Sequence, residues 1–190
     1  RSIKALEQAM LEDSKIFLVT QKDLRVESPI RRDLYDVGTI SKVKQMLKLP
    51  NGTLRILVEG IERGKIEQYS EGQEFTTATI STFEKNTLVD TETEALMRTL
   101  LSYFEKYAKA SSKITTETID SITDLKDPSR LADVIASHLP FKIAEKQEVL
   151  NIDNVKKRLD HLIIRLHDEQ EILELEKKIN LNVKKAMERT

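Results

Sequence analysis

Residues 37–66 read VGTISKVKQMLKLPNGTLRILVEGIERGKI, and this stretch decides the predicted fold. Apolar and basic side chains alternate along its first part, which is typical of a half-buried strand. One face is predicted to carry Val37, Val43, Leu47 and Leu49, and the other Lys42, Lys44 and Lys48. Asn51-Gly52 then indicates a tight hairpin turn, because both residues tolerate positive φ. The return strand would place Leu54, Ile56 and Val58 on one face.

Further strand and turn signals surround this hairpin. The apolar run 16–19 predicts a buried strand, and a short helix with an apolar face precedes it at residues 3–10. Residues 22–36 are mostly polar and are predicted to form a loop. Residues 61–69 and 75–83 are two more strand candidates, separated by a turn near Gly72. We therefore predict a small, mostly antiparallel sheet or partial barrel.

The second half of the chain is predicted to be helical, because all five glycines precede residue 73. Thr91 and Glu94 have the spacing of a capping box, and Asp127-Pro128 supplies an N-cap with a first-turn proline. The apolar periodicity predicts helices over about 91–108, 116–124, 128–139 and 142–150, and a long one from about 153 to the end. The predicted domains are residues 1–86, a β-rich lobe with one helix, and residues 87–190, a helical bundle. The predicted fold class is α+β.

Composition excludes several classes of protein. The 190 residues carry 31 basic and 32 acidic side chains, without the basic excess of a dedicated nucleic-acid binder. The chain lacks cysteine, and with it disulfides and thiolate sites. It has no apolar run long enough to span a membrane and no signal-peptide core, so a cytoplasmic chain without a membrane partner is expected. Because it opens at Arg1 and stops at Thr190 within a helical pattern, we expect a fragment.

No catalytic, cofactor-binding or metal-binding residue is predicted. Residues 60–66 resemble a phosphate loop, but they have three residues between the glycines instead of four, and Ile66 replaces the required Ser or Thr. His161 and His167 are six residues apart, so they point to different helix faces, and His138 is interpreted as a packed or capping residue. No serine lies in a glycine-flanked elbow. The acidic residues at 168–176 are interpreted as a solvated helix face.

The tip of the predicted hairpin is unusually apolar for a turn. Four residues form the candidate substrate contact: Met46, Leu47, Leu49 and Pro50. Such a patch can bind apolar peptide segments, and methionine adapts to varied shapes. The alternative is that these side chains cap the core of their own sheet.

A basic strip on the same hairpin suggests a different function. It would consist of Lys42, Lys44, Lys48 and Arg55, and an RNA-binding small β-barrel with a helical extension is therefore the alternative function. Only 5% of the residues are aromatic and none is interleaved with the strip, whereas binding to single strands requires stacking platforms. Nucleic acid is therefore not the expected partner.

The hairpin also carries a family resemblance. Residues 37–66 resemble the strand–hairpin–strand core of the N-terminal domain of the Lon family of ATP-dependent proteases, with a V-x-G-x-x-R element at Val58, Gly60 and Arg63. Residues 136–159, ASHLPFKIAEKQEVLNIDNVKKRL, are similar to the helical segment of that domain. Residues 1–10 and 184–190 resemble its first helix and the start of the stretch that leads to the ATPase. The similarity is closest to the Bacillus-type bacterial enzymes.

The resemblance implies a fold, a role and partners. The implied fold is a small β-rich (PUA-like) lobe followed by a helical bundle that ends in a long helix. The implied role is non-catalytic: capture of unfolded, damaged or tagged protein substrates, and support for assembly of a hexamer, with dimerisation of the fragment possible. ATP and magnesium belong to the parent enzyme, whose ATPase motifs and Ser–Lys protease domain have no counterpart here. The family's leading strands, with a Leu-Pro-Leu-Arg element, would precede Arg1, so the resemblance implies a sheet that is either incomplete or completed by another copy.

Overall fold

The computed structural model describes residues 1–85 and 88–190, which form two compact units. The first unit comprises residues 1–85 and contains the sheet. The second comprises the described residues from 88 onwards and is helical. The predicted division between residues 86 and 87 falls on positions outside the described residues. Across the described part of the chain, no helix combines the length and apolar character needed to cross a lipid bilayer.

The first unit contains one α-helix, a three-residue 3-10 helix at Arg31–Asp33 and a four-stranded antiparallel sheet. Helix α1 spans Ser2–Leu11 and strand β1 spans Lys15–Leu18. Strands β2, β3 and β4 span Val37–Lys48, Leu54–Glu71 and Thr76–Thr82. The strands lie in the sheet in chain order, so each pairs with its sequence neighbour. The prediction of a small antiparallel sheet is confirmed.

Two strand predictions were wrong in detail. Residues 54–58 and 61–69 were predicted as separate strands, but they form the single strand β3. The pairing register shifts near Ile61, and the strand continues past it. The run at residues 16–19 was predicted to be buried, whereas β1 is only half-buried at Ile16 and Phe17. The reason is its position: β1 pairs only with β2 and lies at the edge of the sheet.

A bulge in β2 overturns the predicted alternation of its faces. Val43 pairs with Val58, but Gln45 pairs with Leu57, so β2 advances two residues while β3 advances one. The extra residue reverses the side-chain alternation beyond it. Val43 is consequently buried, whereas Leu47, predicted to share its face, is exposed. The burial predicted for Val37 is confirmed.

The interior of the sheet unit is small and depends on close approach at Gly38. The fully buried apolar residues of the unit are Leu6, Ala9, Val37, Val43 and Ile66. A Cβ atom on Gly38 would lie 2.2 Å from the Leu18 carbonyl oxygen and 2.7 Å from Cζ of Phe17. Both distances are far below van der Waals contact. Glycine is therefore required for β1 to approach β2 at this point.

The second unit contains five helices among its described residues. They are α2 (Thr91–Ala110), α3 (Thr116–Thr123), α4 (Pro128–Ser137), α5 (Ile143–Asn151) and α6 (Val155–Glu188). The Asp127 N-cap and first-turn Pro128 are confirmed. The capping prediction for α2 was wrong by one residue, because Asp90, not Thr91, accepts the N–H of Thr93. The predicted helical bundle ending in a long helix, and with it the α+β fold class, is confirmed.

One apolar core holds these helices together. Leu100 and Phe104 of α2 meet Leu159, Leu162 and Leu166 of α6, and all five side chains are inaccessible to solvent. The stripe continues through the buried Gln170 and the half-buried Leu173. Beyond that point the side chains of α6 are exposed. Burial of large aliphatic side chains stabilises this unit by about 2 kcal/mol for each residue.

Candidate functional site

The turn of the β2–β3 hairpin is built by residues 49–53. The Leu49 N–H donates to the Thr53 carbonyl oxygen at 2.8 Å, and the Gly52 N–H donates to the Leu49 carbonyl oxygen at 3.0 Å. The Asn51 side-chain oxygen accepts the Thr53 N–H at 3.0 Å. The Leu49–Thr53 hydrogen bond leaves residues 50–52 as a three-residue loop, and within this turn only Gly52 has positive φ, at 83°. The predicted hairpin is correct, but Asn51 does not use the positive φ expected of it.

The four candidate contact residues do not all lie on one face of the hairpin. Met46 pairs with Ile56 across the ladder and is half-buried, as is Leu49. Leu47 pairs with Arg55 on the opposite face and is 51% exposed. Pro50 is exposed at the turn. The hairpin therefore presents Leu47 and Pro50 to solvent, while Met46 and Leu49 are partly covered.

Leu57 adds an apolar side chain that the sequence argument missed. It pairs with Gln45, so it lies diagonally across the ladder from Leu47 on the same face. It is 59% exposed. Such diagonal neighbours are about 7–8 Å apart, which allows both to contact one bound side chain. The sequence could have revealed this exposed side chain. Apolar–polar alternation predicts a polar residue between Ile56 and Val58, and Leu57 occupies that position.

The predicted basic strip is partly neutralised by ion pairs. Nζ of Lys44 lies 3.0 Å from the Glu59 carboxylate, and Nζ of Lys48 lies 3.6 Å from the Glu7 carboxylate. Lys42 and Arg55 are exposed. The strip therefore presents less positive charge than its sequence suggests, and no observation favours an RNA interface there.

The histidines occupy separate positions on the helical unit. His138 is the C-cap residue of α4, with its ring 6.5 Å from that of Phe104. His167 lies beside Asp168 and Glu171, and these three could each offer a ligand atom within 4.8 Å of the others. The spacing of the three residues could have revealed this grouping in the sequence. All three side chains are solvent-exposed, and such groups are common without an ion.

Charged groups at the α5–α6 interface form a compact network. A guanidinium nitrogen of Arg165 lies 3.2 Å from the Glu145 carboxylate and 3.6 Å from the Glu169 carboxylate, and the group is 5.1 Å from the Phe141 ring centroid. Burial raises the pKa of Glu169, although Arg165 opposes that shift. The arrangement fixes α5 against α6. Its contacts join two packed helices, so we assign it a structural role.

Comparison with known proteins identifies the family. Residues 1–168 match the family model described as the ATP-dependent protease La (LON) substrate-binding domain. The chain is 50% identical over 190 residues to the Lon protease of Brevibacillus choshinensis and 49% identical to Lon protease 1 of Bacillus subtilis. Each alignment covers 100% of this chain and 24% of the relative. The chain thus spans about a quarter of the length of these relatives.

Solved structures share the fold at low sequence identity. The N-terminal domain of the Mycobacterium avium complex Lon protease superposes with a TM-score of 0.67 at 22% identity. That match covers 87% of this chain and 84% of the other. The family model and the Lon relatives confirm the resemblance found in the hairpin and in residues 136–159. The family model matches most of the chain, and the Brevibacillus and Bacillus Lon proteases match it over all 190 residues. The chain therefore belongs to the Lon family, as its N-terminal substrate-binding domain.

Proposed function

We propose that the sheet unit recognises unfolded or damaged protein chains for an ATP-dependent protease, and that the β2–β3 hairpin is a contact surface. The observation that carries this proposal is the exposed pair Leu47 and Leu57 beside Pro50. An apolar surface on a substrate-binding domain matches the apolar segments that a folded protein hides and an unfolded chain exposes. Met46 lies on the opposite face of β2, and Leu49 is half-buried at the start of the turn.

In this proposal the chain itself performs no chemistry. Hydrolysis by a Ser–Lys pair, together with ATP and magnesium, would belong to other parts of a longer cytoplasmic protein. The domain would contribute weak contacts, repeated in each copy of an oligomer. Linked weak sites raise the overall affinity without any new contact, because the second binding event becomes intramolecular.

Helix α6 is the element we propose for assembly. Its outer part exposes Ile172, Leu175, Ile179 and Val183, which follow each other at intervals of three and four residues. That spacing places them along one side of the helix. Sedimentation of the chain at rising concentration, before and after Leu175→Ser with Ile179→Ser, tests this role. Association that is unchanged by the two substitutions would contradict it.

Substrate capture is tested by titrating the isotope-labelled chain with a permanently unfolded polypeptide and with its folded counterpart. Amide shifts are expected at residues 45–57 with the unfolded chain only. Leu47→Ser combined with Leu57→Ser should weaken binding about tenfold, because two partly buried leucines are lost from the contact. Leu24→Ser is the control, since Leu24 is also an exposed leucine, at 70%, but lies outside the hairpin.

Two results would contradict the proposal. Equal binding of the folded and unfolded polypeptides would remove selectivity for exposed apolar segments. Unchanged affinity of the double hairpin variant would remove the hairpin from the contact. A short RNA at low and high salt serves as the third ligand, and tight, salt-sensitive binding dependent on Lys42 and Arg55 would favour the RNA-binding alternative instead.

A further inference from the structure

The long segment between β1 and β2 is shaped by its own hydrogen bonds. The Tyr35 N–H donates to the Thr20 carbonyl oxygen at 3.1 Å, and the Lys22 N–H donates to the Asp33 carbonyl oxygen at 2.7 Å. The Asp33 carboxylate accepts the Ile30 N–H at 2.8 Å. The segment also contains a single turn of 3-10 helix at Arg31–Asp33 and an isolated bridge between Gln21 and Leu34. Long connections are uncommon in compact domains, and ordered ones frequently carry function.

This segment forms an open cavity with the far end of β3. The cavity has a volume of about 680 Å³, within the range of ligand sites. The residues that line it from the segment and its end are Lys22, Ile30, Arg31, Arg32 and Asp36, and those from β3 are Tyr69 and Glu71. The cavity lies within the sheet unit and at the opposite end of β3 from the hairpin turn, so it is separate from the surface described above.

The cavity contains three cations, of which Arg31 forms an ion pair and Lys22 acts on Asp36 only through a weaker, longer-range attraction. Arg31 donates to the Asp36 carboxylate and to the Leu34 carbonyl oxygen, so its charge is already compensated. That ion pair lowers the pKa of Asp36 and keeps its carboxylate ionised. Among the described residues, neither Lys22 nor Arg32 forms an ion pair within 4 Å. Two positive groups are therefore available to an anionic ligand.

The remaining lining groups restrict the kind of anion that fits. Ile30 is 41% exposed and Tyr69 is half-buried, so the wall beside the cations is apolar. The Glu71 carboxylate, exposed at the rim, can accept a hydrogen bond from a ligand N–H. A polypeptide offers all three complements within a few residues: a carboxylate, an apolar side chain and backbone N–H groups.

We propose that this cavity binds a carboxylate group of an extended polypeptide, with Lys22 and Arg32 as its partners and Ile30 and Tyr69 contacting the adjoining apolar side chain. The proposal rests on the substrate-binding role proposed above. It adds a second contact, which recognises negative charge on the substrate. The carboxylate has two possible sources, the C-terminus of the chain or an Asp or Glu side chain. The same ionic contacts would serve either source.

Three ten-residue apolar peptides that differ only in charge test the proposal by fluorescence anisotropy. The first has a free C-terminus, the second is amidated, and the third is amidated with one internal Glu. The free-acid peptide should bind the 190-residue chain about fivefold more tightly than the amide at low salt, and the difference should shrink in high salt. Restored binding of the Glu peptide would mean that either carboxylate suffices, and unrestored binding that the terminus is required.

Variants assign the effect to the cavity. Lys22→Gln with Arg32→Gln should abolish the difference between free acid and amide, while Lys126→Gln with Arg130→Gln, two exposed cations of the helical unit, should preserve it. The hairpin variant with Ser at positions 47 and 57 should weaken all three peptides equally. If no peptide binds, the proposed function itself fails.

Three results would overturn the carboxylate site specifically. The first is equal affinity of the wild-type chain for the free acid and the amide. The second is a preference for the free acid that survives Lys22→Gln with Arg32→Gln. The third is an RNA oligonucleotide that binds through Lys22 and Arg32 more tightly than the free-acid peptide, which would reassign the cavity to phosphate groups.

Discussion

The buried guanidinium of Arg158 donates two hydrogen bonds to one backbone atom, the carbonyl oxygen of Ile152, at 2.9 Å from Nε and 2.7 Å from Nη2. A third bond, 2.7 Å long, joins Nη1 to the Ser129 hydroxyl of α4. The side chain is only 2% exposed. Arg158 thus connects the start of α6 to the turn that precedes it and to α4.

Replacing Arg158 should therefore destabilise the helical unit more than its single charge suggests. Arg158→Met keeps an apolar stem but leaves the Ile152 carbonyl oxygen without its donors, and we expect a loss of about 3 kcal/mol in the free energy of unfolding. Urea denaturation followed by circular dichroism measures it. Arg130→Met, at an exposed position of α4, is the control, and equal losses in the two variants would contradict the assignment.

Gly38 should tolerate no side chain. Gly38→Ala places a methyl group against the Leu18 carbonyl oxygen, which must move together with β1, and we expect a loss of about 3 kcal/mol. Gly60→Ala is the matched control, because its nearest neighbour is a Thr39 methyl group at 3.2 Å, which can shift. Urea unfolding midpoints of the two variants measure the difference. If Gly60→Ala loses as much stability as Gly38→Ala, the close approach of β1 to Gly38 is not the reason for the loss.

Gly52 is required for a conformational reason and not for lack of space. Its φ is positive, and no atom lies within 4 Å of the position that a Cβ would take. Gly52→Ala should cost about 1 kcal/mol from backbone strain, and Gly52→Asn should cost less, because asparagine tolerates the left-handed region better. Thermal unfolding of both variants measures this order. If alanine proves no worse than asparagine, strain at Gly52 is not the cause.

Glu169 predicts a pH dependence with a definite sign. Its pKa is raised above the ordinary carboxyl value of 4.5, mainly by burial, so the ionised form is disfavoured in the folded chain. Ionisation of Glu169 therefore lowers the free energy of unfolding. This loss is absent at pH values below the ordinary carboxyl pKa, develops as the pH rises through the raised folded pKa, and is complete above it. Glu169→Gln should therefore be more stable than the wild-type chain at pH 7 and equal to it near pH 4. Arg165 retains Glu145 as a partner in the variant.

The control for this titration is Glu148→Gln on the exposed side of α5. At pH 7 its free energy of unfolding should stay within about 0.5 kcal/mol of the wild-type value, because surface substitutions rarely change it more. The measurement is a series of urea denaturation curves between pH 4 and pH 8. A Glu169→Gln variant that is less stable than the wild-type chain at pH 7 would mean that the ion pair with Arg165 outweighs the cost of burial.

Sequence patterns located most elements because their ends carry local signals. Asp127 and Pro128 start α4 by hydrogen bonding and fixed φ, and Asn51-Gly52 sets the hairpin, all within a few residues of chain. The bulge at Lys44 has no such signal, since an extra residue in one strand is defined only by its partner strand. Because of that single residue, Leu47 and Met46 lie on the faces opposite to those predicted. These are two of the four candidate contact residues.

The cavity beside Lys22 could not have been predicted for a similar reason. Its lining combines residues near 22–36 with Tyr69 and Glu71, and only the pairing of the strands brings these parts together. The sequence marked residues 22–36 as polar loop, which is correct but says nothing of shape. Hydrogen bonds such as that from Lys22 N–H to the Asp33 carbonyl oxygen supply the shape.

The length of α6 has a consequence for motion. Its 34 residues extend for about 51 Å, and past Lys177, whose Nζ donates to the Ala110 carbonyl oxygen, every side chain is exposed. The last turns can therefore unwind without disturbing the core, and their amide hydrogens should exchange with solvent far sooner than those near Leu162. Any molecule that binds the end of α6 would slow that exchange. The exchange rates of these amides therefore show whether the outer turns of α6 are in contact with another molecule.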